Sequence, residues 1–376
     1  MKIIADENIP LLDAFFADMS RELIKLPGRE MTNAQVKDAD VLLVRSITHV
    51  NESLLKSSKV KFVGTCTIGT DHLDAEYLTQ QGIQFHNAPG CNAHAVVDYV
   101  LSALLCLAEK RNQSLTDFSV GIVGAGNVGS RLFSALSKMG LDVCAYDPNV
   151  ETFSSDELKE KVWRQDVVSL HVPITQEGEH KTHHLVDAQK LNTMKDNACL
   201  INSCRGLVVD NQALLNHLNS NDKFDAVMDV WEDEPSPSDE LMKACLLATP
   251  HIAGYSLDGK LNGTEMIYQA LCEFMALPKR HKLAQLVDEP WLRKLSFARE
   301  ASDEYQLKNA IRSAYDIRDD HFRMLALLGL RDSEKAKAFD RLRKVYPHRR
   351  DSRCLMVSGK NLADAALSAM SMKLKS

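Results

Sequence analysis

The chain has 376 residues, 45% of them hydrophobic and 26% charged, with a formal charge of −6 at pH 7. That length divides into two or three domains of ordinary globular composition. The charge gives no electrostatic ground for binding nucleic acid or an anionic membrane, and no apolar run approaches the ~18 residues of a spanning helix.

An anionic substrate must therefore meet a local cluster of positive groups. Residues 2–5 open the chain as a strand, with no signal-peptide pattern before them. The nine cysteines are odd in number, sit mostly inside apolar runs and include no C-x-x-C pair. They read as small core residues of a reducing, cytoplasmic protein, with neither a disulfide framework nor a structural metal site expected.

Residues 9–16 carry a helical apolar face, and 40–44 form a buried strand ending in Arg45 and Ser46. Residues 59–63 are another strand, closing into a turn that contains Thr67, and 83–85 are a short further one. Strands alternating with helices at this spacing imply a parallel sheet covered on both faces, with ligands gathered at the C-terminal strand ends. Ser46 and Thr67 lie at two such ends, where compact hydroxyls serve equally as ligand contacts or turn caps. Asn92 is placed to cap a long helix over about 93–110, whose Val96, Val97, Val100, Leu101, Leu104 and Leu105 follow a 3.6-residue period. Asp98 falls off that stripe and reads as a solvated or capping charge.

The most informative stretch is 118–133, FSVGIVGAGNVGSRLF. An apolar run enters Gly124-Ala125-Gly126-Asn127-Val128-Gly129, and a helical pattern follows. This strand, glycine turn and helix start form the corner that cradles a dinucleotide pyrophosphate. Gly124 permits the tight turn, Gly126 lets backbone approach the pyrophosphate, and Gly129 lets the helix pack on the strand. A second strand, 141–146, ends in Asp147, about 20 residues on, where a carboxylate accepts from ribose hydroxyls and repels a 2′-phosphate. No arginine follows in 148–150, so the cofactor reads as NAD.

Residues 166–173 then form a strand broken by Pro173, with Thr175 in the next loop. His180, His183 and His184 lack an acidic or cysteine partner at ligand spacing and read as a solvated loop. Three successive strands follow, at 199–204, 225–230 and 246–250, and they deliver Arg205, Glu234 and His251 to one sheet edge, beside the cofactor corner. Transfer of a hydride from an alcohol carbon to a nicotinamide needs a base for the hydroxyl proton and a positive group for the substrate. Histidine fits the base, a carboxylate orients it, and arginine grips a carboxylate with two parallel hydrogen bonds.

These residues resemble the D-isomer-specific 2-hydroxyacid dehydrogenases through GIVGAGNVGSRL, SLHVPIT, INSCRGLVVD, DVWEDEP and ATPHIAG. The resemblance implies catalysis by Arg205, Glu234 and His251. It also implies an α/β architecture: a Rossmann-type NAD-binding domain (94–255) inserted in a discontinuous, flavodoxin-like substrate domain (1–93 and 256–285). Residues 286–376 have no place in a minimal member. Segments 313–320 and 339–350, with 45–48, 64–74 and 90–93, resemble the branch that oxidises the 2-hydroxyl of 4-phospho-D-erythronate on the bacterial route to pyridoxal phosphate. That likeness implies an α+β C-terminal dimerisation domain, a homodimer, and Ser46, Thr67 and Tyr255 as substrate contacts. The implied NAD contacts are the glycine-loop residues 124 and 126–129, Asp147, Thr175, Cys204, Asp229 and Gly254.

A phosphorylated hydroxy acid needs cationic partners at both ends. Arg205 serves the carboxylate, and Arg45 is the candidate for the phosphate, with Arg349 or Arg350 of a partner subunit as an alternative. Two other functions compete: another phospho-2-hydroxyacid dehydrogenase, such as one acting on 3-phosphoglycerate, and a non-enzymatic NAD sensor or co-repressor. Intact Arg205, Glu234 and His251, and the absence of a basic tract, disfavour the sensor. In the tail, Leu325, Leu327, Leu328 and Leu330 suggest a helical face that serves as core or interface.

Overall fold

The computed structural model describes residues 1–375 and divides the chain into two compact units, 1–92 with 256–289, and 93–255 with 290 onward. The first unit is built on a five-stranded parallel sheet of β1 (Lys2–Asp6), β2 (Glu22–Leu26), β3 (Val41–Val44), β4 (Phe62–Thr65) and β5 (Gln84–His86), in the order β2-β1-β3-β4-β5. Of the three inner strands, β3 and β4 are wholly buried and β1 is buried at all but its first residue, as expected of parallel strands with elements on both faces. One face packs Ile3, Leu43 and Phe62 against Ile267 and Leu271 of the helix Leu257–Phe274. Gly64 makes that approach possible, since a Cβ there would lie 2.4 Å from Ile267. The edge strand β2 has no counterpart in the sequence reading. Its ELIKL run is only partly buried and shows no clean alternation, so the signal of a covered strand is missing.

The second unit carries a six-stranded parallel sheet of β6 (Ser119–Val123), β7 (Asp142–Tyr146), β8 (Val167–Leu170), β9 (Cys199–Asn202), β10 (Asp225–Met228) and β11 (Leu247–Ala248). Its order is β11-β10-β9-β8-β6-β7, so the winding reverses beside β6 and opens a crevice at that strand's C-terminal end. The helix Ala93–Arg111 is buried on nearly every side, and Tyr99 on it hydrogen-bonds Thr249 across 2.8 Å.

The tail builds a small three-stranded parallel sheet, β12 (Lys294–Ser296), β13 (Met356–Ser358) and β14 (Lys373–Lys375), with the helices Asp303–Ala314, Ile317–Leu325 and Asp332–Lys344. Its Ala310, Ile311, Ile317 and Val357 join one hydrophobic cluster with Tyr99, Leu101 and Val120. This cover changes Asp98 from the expected solvated charge into a buried group, 2% exposed, that accepts from Ser352 N at 2.9 Å. Burial, aided by the nearby Asp351, pushes its carboxyl up to about 7 against the pull of Arg349. Of the four tail leucines only Leu325 is helical. Leu327 is buried in the turn that Gly329 closes at φ +77°, and Leu330 is exposed, so they form no single stripe.

All nine cysteines are free thiols. Among the described residues, no helix is long and apolar enough to cross a membrane.

Candidate active site

In the first unit Arg45 and Ser46 follow β3, and Thr67 follows the neighbouring β4. Thr65 Oγ1 lies 2.8 Å from Thr67 Oγ1 and 2.9 Å from His72 Nε2, which fixes the Thr67 hydroxyl on a buried polar chain. Arg45 is half-buried and, among the described residues, pairs with no carboxylate.

In the second unit the glycine corner follows β6. Gly124 holds φ +94°, and a Cβ there would meet His171 O at 2.6 Å. A Cβ on Gly129 would lie 1.9 Å from Gly124 O, so only glycine lets the helix Gly129–Lys138 start so close to the turn. At Gly126 nothing comes within 4 Å of the Cβ position, and Gly126 and Asn127 are exposed, with Val128 half-buried. Asp147, after β7, accepts from Ala125 N and from Asn149 N, each at 2.9 Å. It is thereby locked to the glycine turn. The corner has the open backbone, the helix N-terminus and the fixed carboxylate that a dinucleotide requires.

Further along the same edge, Thr175 is clasped in its loop, its N bonding Thr182 Oγ1 at 2.8 Å and its hydroxyl accepting from Thr182 N at 2.9 Å. Cys204 is buried, with its N and Sγ each 3.2 Å from Asn202 Oδ1. Gly254 and Tyr255, both half-buried, end the unit's first segment immediately after the His251 turn. His184, one of the three loop histidines, is hydrogen-bonded to Glu232 rather than solvated.

The structure brings Glu234 and His251 together. Glu234 Oε2 lies 2.7 Å from His251 Nδ1, while Oε1 accepts from Trp231 N at 3.0 Å. Burial pushes the Glu234 carboxyl up, but His251, Arg343 and the Trp231 N–H together outweigh it and hold the group below the usual carboxylate range. Arg205 follows β9, the strand next to β10, and is held by its own Nη1 on Cys204 O at 2.8 Å. Gly206 beside it leaves no room for a side chain, since a Cβ would sit 2.0 Å from Trp231 O.

Asp229, expected among the cofactor contacts, is 1% exposed, and its side chain accepts from Thr249 Oγ1, Ile252 N and Ala253 N at 2.7–2.9 Å. Those bonds shape the turn that carries His251. Arg349 is likewise occupied: it is buried within its own chain on the carbonyls of Ala95, Ile252 and Ala253, so it cannot reach out to a partner's phosphate. Arg350 donates to Cys354 Sγ. Arg343, which the sequence reading passed over, lies 5.5 Å over the Tyr255 ring and faces Glu234. No local signal marks it, because it sits on a surface-patterned tail helix far along the chain.

Residues 107–253 match the family model described as D-isomer specific 2-hydroxyacid dehydrogenase, NAD binding domain. Residues 286–372 match a domain of unknown function. Erythronate-4-phosphate dehydrogenase of Hahella chejuensis is 46% identical over 381 residues, covering 100% of both chains. The chain belongs to the erythronate-4-phosphate dehydrogenase family. The erythronate-4-phosphate dehydrogenase of Pseudomonas fluorescens is 48% identical over 95% of this chain and 94% of its own. Among solved structures, NAD-bound 3-phosphoglycerate dehydrogenase of Entamoeba histolytica superposes with a TM-score of 0.64 at 23% identity, covering 73% of this chain and 95% of that one. That last likeness speaks to the fold alone. The family is NAD-dependent, and the glycine corner of this chain fits that cofactor.

Proposed function

We propose that this chain oxidises the 2-hydroxyl of 4-phosphoerythronate to the 2-oxo acid, on the route to pyridoxal phosphate in a reducing cytoplasm. The observation that carries the reading is the Glu234–His251 pair, set one strand from Arg205 in a family member matched along its whole length. NAD, when bound, supplies the hydride acceptor, and the residues that would hold it are Gly124, Gly126, Gly129 and Asp147.

The hydrogen-bond pattern assigns the histidine tautomer. With Nδ1 donating to ionised Glu234, Nε2 keeps its lone pair and can take the proton of the substrate hydroxyl. The imidazolium then formed is stabilised by the same carboxylate. Arg205 holds the substrate carboxylate and polarises the developing carbonyl. Ser46, Thr67 and Tyr255 offer hydroxyls to the substrate, and Thr175, Cys204 and Gly254 line the cofactor edge. Arg45, with no carboxylate of its own to neutralise, takes the phosphate.

A turnover assay with NAD and NADP against 4-phosphoerythronate and 3-phosphoglycerate tests this. Reduction of NAD with 4-phosphoerythronate should dominate, and faster oxidation of 3-phosphoglycerate would overturn the choice of substrate. In the same assay Arg45→Ala should raise KM for the phosphorylated acid by about tenfold, or ~1.4 kcal/mol. An unchanged KM removes Arg45 from the site.

The tail supports a homodimer, for it leaves Trp291 87%, Phe322 67% and Val345 65% exposed, large apolar side chains that a second copy can cover. Sedimentation of the full chain should give the mass of two chains, and a monomer at all concentrations would refute the assembly.

A further inference from the structure

The turn that carries His251 is held from two sides, and one of the holds comes from near the far end of the chain. His251 has φ +56°, the left-handed region, which is unfavourable for a non-glycine residue and persists only where its surroundings impose it. On the N–H side, Asp229 imposes it: its main-chain O accepts from His251 N at 2.7 Å, and its carboxylate takes Ile252 N at 2.8 Å and Ala253 N at 2.9 Å.

On the carbonyl side the partner is Arg349. Its Nη1 lies 3.3 Å from both Ile252 O and Ala253 O, and its Nη2 donates to Ala95 O at 2.6 Å. The guanidinium stacks 3.6 Å over the Tyr315 ring, and the residue is 7% exposed. Tyr315 is itself pinned, donating to Asp320 Oδ2 at 2.8 Å and stacking on Tyr99. A planar fork with donors on two nitrogens can bridge main-chain carbonyls from the turn and from the helix Ala93–Arg111 while lying flat on an aromatic ring. An ammonium cannot do both. Burying a cation is costly unless it is hydrogen-bonded, and here the carbonyls of Ile252, Ala253 and Ala95 take its two Nη groups, while Nε has no hydrogen-bond partner among the described residues.

We propose that Arg349 is a positioning residue for His251. It touches neither substrate nor cofactor. It fixes the main chain on the C-terminal side of the imidazole, so that Nδ1 stays on Glu234 and Nε2 keeps one direction. Residue 349 thus serves the chemistry of its own subunit, in addition to any part the tail plays in assembly. The inference rests on His251 being the base of the reaction proposed above. Without Arg349, three carbonyls lose a donor, and the left-handed turn is held from one side only. The imidazole then leaves its productive orientation while the glycine corner, at the other end of the sheet, is unchanged. The loss belongs in kcat, not in binding.

The test uses full-length Arg349→Met and Arg349→Lys, with NAD-binding stoichiometry measured beside steady-state kinetics on 4-phosphoerythronate. The expected result for Arg349→Met is parental NAD stoichiometry, KM for the acid within about threefold, and kcat per bound NAD lower by about tenfold or more, with Arg349→Lys between it and the parent. A kcat per bound NAD within about twofold of parent in Arg349→Met overturns the proposal. So does activity lost only in proportion to NAD sites, or failure of both variants to bind NAD, since each marks a purely structural residue. Inactivity of the parent on this acid would instead remove the functional reading itself, and the two failures are distinguishable in one experiment.

Discussion

Replacing His251 by Asn is expected to lower kcat by about 10³-fold, within the range that loss of a general acid–base group produces. Asparagine is the informative replacement because residue 251 has φ +56°, a conformation Asn tolerates better than Ala does. The turn is then retained, and the loss reports the missing Nε2 lone pair. NAD affinity should change little. The glycine corner and Asp147 follow β6 and β7, whereas His251 follows β11 at the opposite edge of the sheet. The measurement is kcat and NAD affinity of parent and variant side by side. Turnover at the parental rate would show that some other group takes the proton.

The parts of the molecule that were legible in the sequence are those whose constraints are local. The glycine corner can be read because three backbone demands fall within six residues, and the structure answers two of them with a positive φ at Gly124 and a 1.9 Å exclusion at Gly129. Arg205, Glu234 and His251 could be found because each follows an apolar run, and β9, β10 and β11 lie side by side in the sheet. What stayed hidden depends on segments distant in sequence. Asp98 falls off the apolar stripe of its helix, the usual mark of a solvent-facing position, until the tail covers it with Ser352. Asp229 follows a buried strand, where a carboxylate could face a ligand, and only the fold of the next turn directs it onto Ile252 and Ala253. Arg343 and Arg349 sit in a basic tail segment whose pattern suggests solvated charges. Their value lies in what they reach, about a hundred residues back along the chain.

Substituting Glu234 by Gln should lower kcat by about 10²–10³-fold through the proton inventory of the pair, with shape nearly preserved. Glu234 accepts on both oxygens, from Trp231 N and from His251 Nδ1. An amide has one acceptor and one donor end. If its oxygen keeps the Trp231 N–H, its NH₂ faces Nδ1, which must then accept, and the imidazole proton moves to Nε2, where the base is needed. If the amide flips, NH₂ meets the N–H of Trp231, and leaving that buried donor unpaired costs roughly 1–3 kcal/mol. Trp231 cannot move away, being 2% exposed and anchored through Nε1 to Thr249 O at 3.0 Å. Both arrangements therefore disable the base or strain its support, and KM for the acid should change far less than kcat.

The same substitution has a thermal signature whose sign follows from the depressed Glu234 pKa. Burial works against ionisation there, but His251, Arg343 and the Trp231 N–H prevail, so the folded carboxyl titrates below its unfolded value. The stabilisation it contributes is fully present above the unfolded carboxylate pKa, about 4.3, and is lost as pH falls through the folded one. Glu234→Gln should consequently have a lower Tm than the parent at pH 7. The gap should narrow in acid, as the pH falls through the depressed folded value and the parent's own carboxyl becomes neutral. An equal Tm gap at both pH values would mean that the ionised form of Glu234 is not what this site stabilises, and the tautomer argument would fall with it.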